Sequence, residues 1–258
     1  MSKVSSRLFN DTLEHFGVRE ADCSFEQLGD CAAKLSAEPP GGETLRWHDE
    51  IVQRLVQDGD SVIDFGCGDG ELLHRLAKCR KCWMQGIEAD EDMVGKCIAR
   101  GIPVCHGDML DIIDLIPDKS YSWAILEDTL TTLKNPVDAL NRMLRVANAC
   151  IITFPNFAHW SMRFTFSLGG RMPVTKAFPF KWYDTPNIHN CSINDFMDWI
   201  GAERLKVLEA WVLVEGKAER YDAGSEHNIT ASQALMMCSL PASYLSALPT
   251  TSTQASST

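Results

Sequence analysis

Ser61-Val62-Ile63-Asp64-Phe65-Gly66-Cys67-Gly68-Asp69-Gly70-Glu71-Leu72-Leu73 decides the fold. An apolar run leads into three alternate glycines, and Leu72, Leu73 and Leu76 then recur at helical spacing. That order describes a strand, a turn whose backbone must approach a ligand closely, and a helix. The chain is organised around this first βα unit.

Strands and helices alternate outward from it. Upstream, Ile51, Val52, Leu55 and Val56 mark an amphipathic helix that ends before Asp58-Gly59-Asp60. Downstream, the pattern predicts a second strand over 83–87 closing on Glu88, then a helix capped by Asp90 with Met93, Val94, Cys97 and Ile98 on its apolar face. A short third strand over 104–106 ends at Gly107-Asp108, and a fourth over 121–126 delivers Glu127-Asp128. Asn135-Pro136 reads as an N-cap with proline at the first helical position, and a fifth strand covers 149–154. Short links between such elements imply a parallel sheet with right-handed crossovers and helices on both faces. Two last strands, over 205–214 and 234–240, read as an antiparallel hairpin at the sheet edge, which makes seven strands.

Three segments stand outside this rhythm. Residues 1–42, closed by Pro39-Pro40-Gly41-Gly42, form a partly helical N-terminal extension to a main domain over 43–240. Residues 157–190 form a lid-like insertion after the fifth strand, with eight aromatic residues between Phe157 and Tyr183, too many for a disordered linker. Residues 241–258 are rich in Ser, Thr and Ala without a charge and read as a flexible tail.

Bulk properties exclude several functions. A net charge of −11 opposes nonspecific binding to nucleic acid or an anionic membrane. No apolar run is long enough for a membrane helix, and the acidic N-terminus has no signal peptide, so a cytoplasmic location is expected. The ten cysteines are then reduced thiols. Cys79-Arg80-Lys81-Cys82 lacks the second pair that zinc needs, so no metal is expected.

Parallel sheets bind ligands at the carboxyl ends of their strands, where Asp64, Glu88, Asp108, Glu127 and Asn156 fall. A dinucleotide fingerprint requires a small residue where this chain has Glu71, and Asp64, Asp69 and Glu71 repel phosphate while attracting a cation. Glu88, 22 residues beyond Gly66, suits a pair of ribose hydroxyls, and Asp108 suits an adenine amine. The set fits S-adenosylmethionine, with Asp64, Gly66, Cys67, Gly68, Gly70, Glu88, Ala89, Asp108, Met109 and Glu127 as its binding residues. Taken singly, each carboxylate also reads as a helix cap or a solvated strand end.

The pattern Asp64-x-Gly66-x-Gly68-x-Gly70, with Glu88 and Gly107-Asp108, resembles the class I S-adenosylmethionine-dependent methyltransferases over residues 44–156, implying their Rossmann-like fold. Three later motifs are more specific: Phe154-Pro155-Asn156-Phe157-Ala158-His159-Trp160, Gly170-Arg171-Met172-Pro173-Val174-Thr175 and Trp182-Tyr183-Asp184-Thr185-Pro186-Asn187-Ile188-His189. Through them the chain resembles the methionine biosynthesis protein MetW family over residues 45–215. It departs from relatives at Glu127-Asp128-Thr129, where they carry a Ser-Gln-Thr-like sequence, and at Tyr121-Ser122, where many carry an aromatic-Asp pair.

The resemblance implies a role in methionine biosynthesis with a homoserine O-acyltransferase as partner. Two readings follow: a methyltransferase acting on a small molecule, or a non-catalytic regulator of the acyltransferase. For an acceptor that must lose a proton, His159, His189 and Asp184 are the candidate bases and Tyr183 a candidate orienting group. Asn156, Trp160, Arg171 and Trp182 are the candidate substrate contacts. Against these stand plainer roles: histidines that bridge loop backbone, and aromatics that fill a core.

Overall fold

The computed structural model describes residues 46–241, so the expected extension over 1–42 and the tail beyond 241 lie outside the described residues. The first half of the chain keeps the expected alternation of strands and helices, with one short helix over 109–113 that the sequence did not announce. Helix α1 (Asp49–Leu55) precedes β1 (Ser61–Phe65), α2 (Glu71–Cys79), β2 (Trp83–Glu88), α3 (Glu91–Ala99), β3 (Val104–His106), α4 (Met109–Ile113) and β4 (Tyr121–Leu126). A 3-10 turn over Leu130–Thr132 leads to α5 (Pro136–Val146) and β5 (Ala147–Pro155). The insertion then opens with α6 (Trp160–Gly169), and α7 (Ile193–Ala202), β6 (Lys206–Val214), β7 (Lys217–Arg220), α8 (His227–Thr230) and β8 (Ala231–Ser239) complete the domain.

One sheet runs in the order β3-β2-β1-β4-β5-β8-β6-β7. Strands β1 to β5 are parallel, and β8, β6 and β7 join antiparallel. The alternation of side chains sorts each strand onto two faces. Ile63, Phe65, Ala124, Leu126, Ile152 and Phe154 pack with Met109, Leu140, Met143, Phe196 and Ile200 from α4, α5 and α7. Val62, Ile125, Ile151 and Leu235 pack on the other face with Ile51, Val52, Leu72, Leu73, Leu76 and Cys97 from α1, α2 and α3.

Among the described residues the sheet has eight strands where seven are expected. The added strand, β7, reads Lys-Ala-Glu-Arg and is exposed at every position, so no apolar alternation announces it. It is turned back by Glu215 and Gly216, whose φ values of 48° and 77° make the two-residue loop a mirror-image turn matched to strand twist. The final pair of expected strands, β6 and β8, are antiparallel neighbours, but β8 inserts beside β5 and leaves the β6–β7 hairpin at the edge. On α3 only Cys97 of the four expected apolar contacts is buried, and Ile98 is exposed.

Phe154 is fully buried on β5 with its ring 4.8 Å from that of Phe196 on α7, so it joins the sheet to the helix that follows the insertion. Phe154→Ala should destabilise the domain by about 3–5 kcal/mol. Urea unfolding should show this as a lower midpoint at unchanged slope, and a loss below about 1 kcal/mol would contradict this placement of the core.

Candidate functional site

The site begins where β1 stops. Gly66, at φ 73°, turns the chain out of the strand, and a β-carbon there would lie 2.7 Å from the Thr129 hydroxyl beyond β4. The amides of Gly66 and Cys67 both donate to the Ile87 carbonyl, at 2.8 and 3.1 Å, which ties the loop to β2. Glu88 completes the tie: its Oε2 accepts from the Gly68 amide at 2.8 Å and its Oε1 from the Asp90 amide at 2.9 Å. Gly68 has nothing within 4 Å of its missing side chain, so the loop presents bare backbone to open space beside the Glu88 carboxylate. Cys67 turns the opposite way, its sulfur 3.8 Å from that of Cys97, and burial raises its thiol pKa.

Beneath the loop lies a cluster of buried charge. Asp64 shares a sheet face with Val62, and Glu127 shares that face with Ile125 on the neighbouring strand, so both carboxylates point toward α1. Arg46 ion-pairs with Glu127 through Nη1 and approaches Asp49 at 3.4 Å through Nε. The His48 Nδ1 lies 2.5 Å from Glu127 Oε1, yet neither atom meets the other at a hydrogen-bonding angle, so the contact is one of proximity. Arg75 of α2 approaches the other Asp49 oxygen at 3.3 Å. Asp64 is 1% exposed, and its Oδ1 finds no hydrogen-bond partner among the described residues. Burial raises its pKa well above the ordinary carboxylate value, and the Glu127 carboxylate adds to the effect.

Sequence reasoning passed over Arg46, His48, Asp49 and Arg75. No sequence signal marks them: Arg46, His48 and Asp49 stand at the start of α1, where a solvated first turn is the usual arrangement, yet His48 and Asp49 are buried.

The remaining expected residues divide into groups. Ala89 is exposed, and its carbonyl is 3.1 Å from His106 Nε2. Asp108 caps α4 through the Leu110 amide, and Met109 is buried beneath it. Gly70 caps α2 at φ 75°. Asn156 is buried and saturated: its amide donates to the carbonyls of Asn228 and Ala231, and its oxygen accepts from Ala158 and Ile193. It stitches the insertion to α7 and α8, and no donor is left for a substrate.

His159 caps α6, with Nδ1 2.8 Å from the Ser161 hydroxyl, and Trp160 lies against its ring at 5.3 Å. Burial lowers the His159 pKa to about 4. Arg171, Trp182, Tyr183, Asp184 and His189 are all exposed, with Trp182 and Tyr183 packed edge to face. The His189 ring is 3.3 Å from the Lys134 carbonyl, and the amides of Ile188 and His189 donate to the Thr131 carbonyl. Asn187 accepts from the Thr131 hydroxyl at 2.9 Å, so the end of the insertion is fastened to the turn after β4.

The donor set suits a ligand with a nucleoside and a cationic end. Bare backbone at Gly68 and the Glu88 carboxylate offer a hydroxyl-binding rim, and Asp64 offers an unmatched buried acceptor. His48, Asp49 and Glu127 also place three donor atoms within 4.8 Å of one another, but the Arg46 guanidinium already lies against both carboxylates.

Sheet order, glycine loop and strand-end carboxylates together define a class I S-adenosylmethionine-dependent methyltransferase fold. A possible histamine N-methyltransferase from Thermotoga maritima superposes with a TM-score of 0.54 at 15% identity, covering 76% of this chain and 88% of that one. The [4+2]-cyclase SpnF superposes with a TM-score of 0.51 at 14% identity, covering 86% and 85%. Within that fold the chain belongs to the family described as methionine biosynthesis protein MetW, whose model matches residues 46–238. A bifunctional methionine biosynthesis protein MetXA/MetW from Rhodopirellula baltica is 29% identical over 206 residues. The match takes in 76% of this chain and 33% of that protein, so the chain spans about a third of its relative's length.

Two outcomes test this geometry. Alanine at Gly66 or Gly68 must adopt left-handed backbone at about 1 kcal/mol, but only Gly66→Ala also drives a methyl into Thr129, for about 1–3 kcal/mol more. Gly66→Ala should therefore unfold at lower urea than Gly68→Ala, and equal midpoints would contradict the close approach.

His159 titrates near 4 when folded and near 6.5 when unfolded, so between these values the unfolded chain binds the proton that the folded chain refuses. Stability should be full above about pH 6.5 and fall by about 2–3 kcal/mol as the pH drops toward 4. His159→Gln should flatten that part of the profile; an unchanged slope would refute a neutral capping role.

Proposed function

We propose that the chain is an S-adenosylmethionine-binding regulatory partner of a homoserine O-acyltransferase in methionine biosynthesis. The observation that carries this reading is the surface of the insertion. More than half of the exposed large apolar side chains among the described residues fall between 166 and 188, including Phe166, Phe180, Trp182 and Tyr183. The insertion also holds Arg163, Arg171, Lys176 and Lys181 against Asp184 alone, in a chain of net charge −11. An exposed aromatic and basic face suits a protein partner. The fused relative supports the identity of that partner, because its name joins a MetXA and a MetW module in one polypeptide.

Methyl transfer is the weaker reading. His159 serves as a helix cap with a depressed pKa, and Asn156 has no free donor. The fold does not require transfer chemistry, since the superposable SpnF is a [4+2]-cyclase. Cofactor binding supports either reading: Gly68, Glu88 and Asp64 hold the groups such a ligand needs, and the fastening of Asn187 to Thr131 connects that end of the sheet to the insertion.

The deciding measurement is the rate of the acyltransferase from the same organism, reconstituted with this chain and with or without S-adenosylmethionine. The rate should change on adding the chain, depend on the cofactor, and lose that dependence with Glu88→Ala. Trp182→Glu with Tyr183→Glu should abolish the effect while leaving cofactor affinity in calorimetry unchanged. An unaltered rate, or transfer of a labelled methyl group to an acceptor in a metabolite extract, would replace this reading with the enzymatic one.

A further inference from the structure

The glycine loop and the end of the insertion meet on one short turn, the residues that follow β4. We infer that this turn, residues 128–132, carries the occupancy of the glycine loop to the insertion, so that S-adenosylmethionine on the loop tightens the fastening of Asn187, Ile188 and His189 beside the exposed Trp182 and Tyr183. The inference rests on the cofactor-binding regulatory reading above and supplies the path by which such a regulator senses its ligand.

On the loop side the approach is close. A β-carbon at Gly66 would lie 2.7 Å from the Thr129 hydroxyl and 3.1 Å from its methyl group, so the bare backbone of Gly66 rests against that side chain. The Thr129 hydroxyl donates to the Glu127 carbonyl at 2.8 Å, which fixes the side chain in that position. The Thr129 carbonyl accepts from the amide and the hydroxyl of Thr132, at 3.0 and 2.8 Å, and closes the turn on itself. A shift of the glycine loop at Gly66 therefore displaces the turn as a unit.

On the other side the turn holds the insertion. Thr131 is buried, its hydroxyl donates to Asn187 Oδ1 at 2.9 Å, and its carbonyl accepts the amides of Ile188 and His189 at 2.8 and 3.0 Å. Tyr183 precedes Asn187 by four residues, so this fastening lies next to the aromatic pair. The start of the insertion is tied elsewhere, through Asn156 to the carbonyls of Asn228 and Ala231. The two ends of the insertion thus answer to different parts of the fold.

Asp128 joins β4 to the turn and supplies a joint. Its φ of 49° is left-handed, a conformation that residues other than glycine keep only where their surroundings hold them in it. The holder is Thr153 of β5, whose hydroxyl accepts the Asp128 amide at 2.9 Å and donates to Asp128 Oδ1 at 3.2 Å. A strained residue pinned by one hydroxyl has two settings, pinned and released. A ligand shifts such a balance only by binding one setting better, and one seated on Gly68 and Glu88 requires the loop position in which Gly66 meets Thr129. Binding favours the pinned turn.

Hydrogen exchange of the full chain, followed by NMR with and without S-adenosylmethionine, reads the fastening directly. In the wild-type protein the ligand should slow exchange of the Ile188 and His189 amides by about fivefold or more, the lower range of coupling between sites, and leave the Ala158 and Ile193 amides, which bond to Asn156, unchanged. Thr129→Ala removes the contact with Gly66, and Asn187→Ala removes the acceptor on the far side of the turn. Each should still bind the ligand in calorimetry and lose the slowing, and either variant alone decides the matter if the other fails to fold. Binding that slows neither amide, that slows all four alike, or that slows Ile188 and His189 as much in the variants would overturn the inference and leave the cofactor reading intact. Failure of the wild-type chain to bind would overturn both. The measurement needs no acyltransferase, so its outcome is separate from that of the reconstitution.

Discussion

One carboxylate joins the first two crossovers of the sheet. Glu88 accepts the Gly68 amide on one oxygen and the Asp90 amide on the other, and Asp90 in turn caps α3 through the amides of Asp92 and Met93. The glycine loop that starts α2 and the turn that starts α3 are thus held by the same side chain. Charge-assisted bonds to backbone amides are stronger than neutral ones, and here they fix the positions of two helix starts relative to the strand ends. The Glu88 carboxylate is thus already aimed by the fold, and a ligand meeting it would find it preorganised.

Much of this was legible in the sequence, because the signals are local. Apolar residues at two-fold and 3.6-fold spacing mark β1 to β5 and the helices α1, α2 and α5, and the alternate glycines mark the turn, whereas the five-residue α4 is too short to show a period. Glu88 and Asp108 were placed correctly at strand ends by counting alone, and Asp108 takes the capping role that a lone carboxylate there suggests. Strand β7 left no trace because a fully exposed edge strand needs no apolar residue. Arg46, His48, Asp49 and Arg75 were invisible for the opposite reason. Charged residues near a helix start normally face water, and only the folded chain brings Glu127, from a strand about eighty residues later, against Arg46 and the buried His48, with Arg46 and Arg75 beside Asp49. Such pairing is a property of the folded chain.

The insertion shows how one motif series divides its labour. Asn156 and His159 organise its beginning, the first through four hydrogen bonds and the second as the cap of α6. Asn187 and the backbone of Ile188 and His189 fix its end to Thr131. Between these anchors Met162 and Phe178 turn inward while Phe166, Phe180, Trp182 and Tyr183 are exposed. The two ends of the insertion are therefore scaffolding, and the aromatic surface lies in the segment they suspend.

The sheet margins also limit how this domain can meet another chain. At one side β3 is three residues long; at the other, among the described residues, β7 presents Lys217, Glu219 and Arg220 in four exposed positions. A strand added to β7 would lay its backbone along charged side chains, and β3 offers too short a template for a stable ladder. Strand addition is disfavoured at both margins of the described sheet, which favours contact with another chain through side chains projecting from loops and helices.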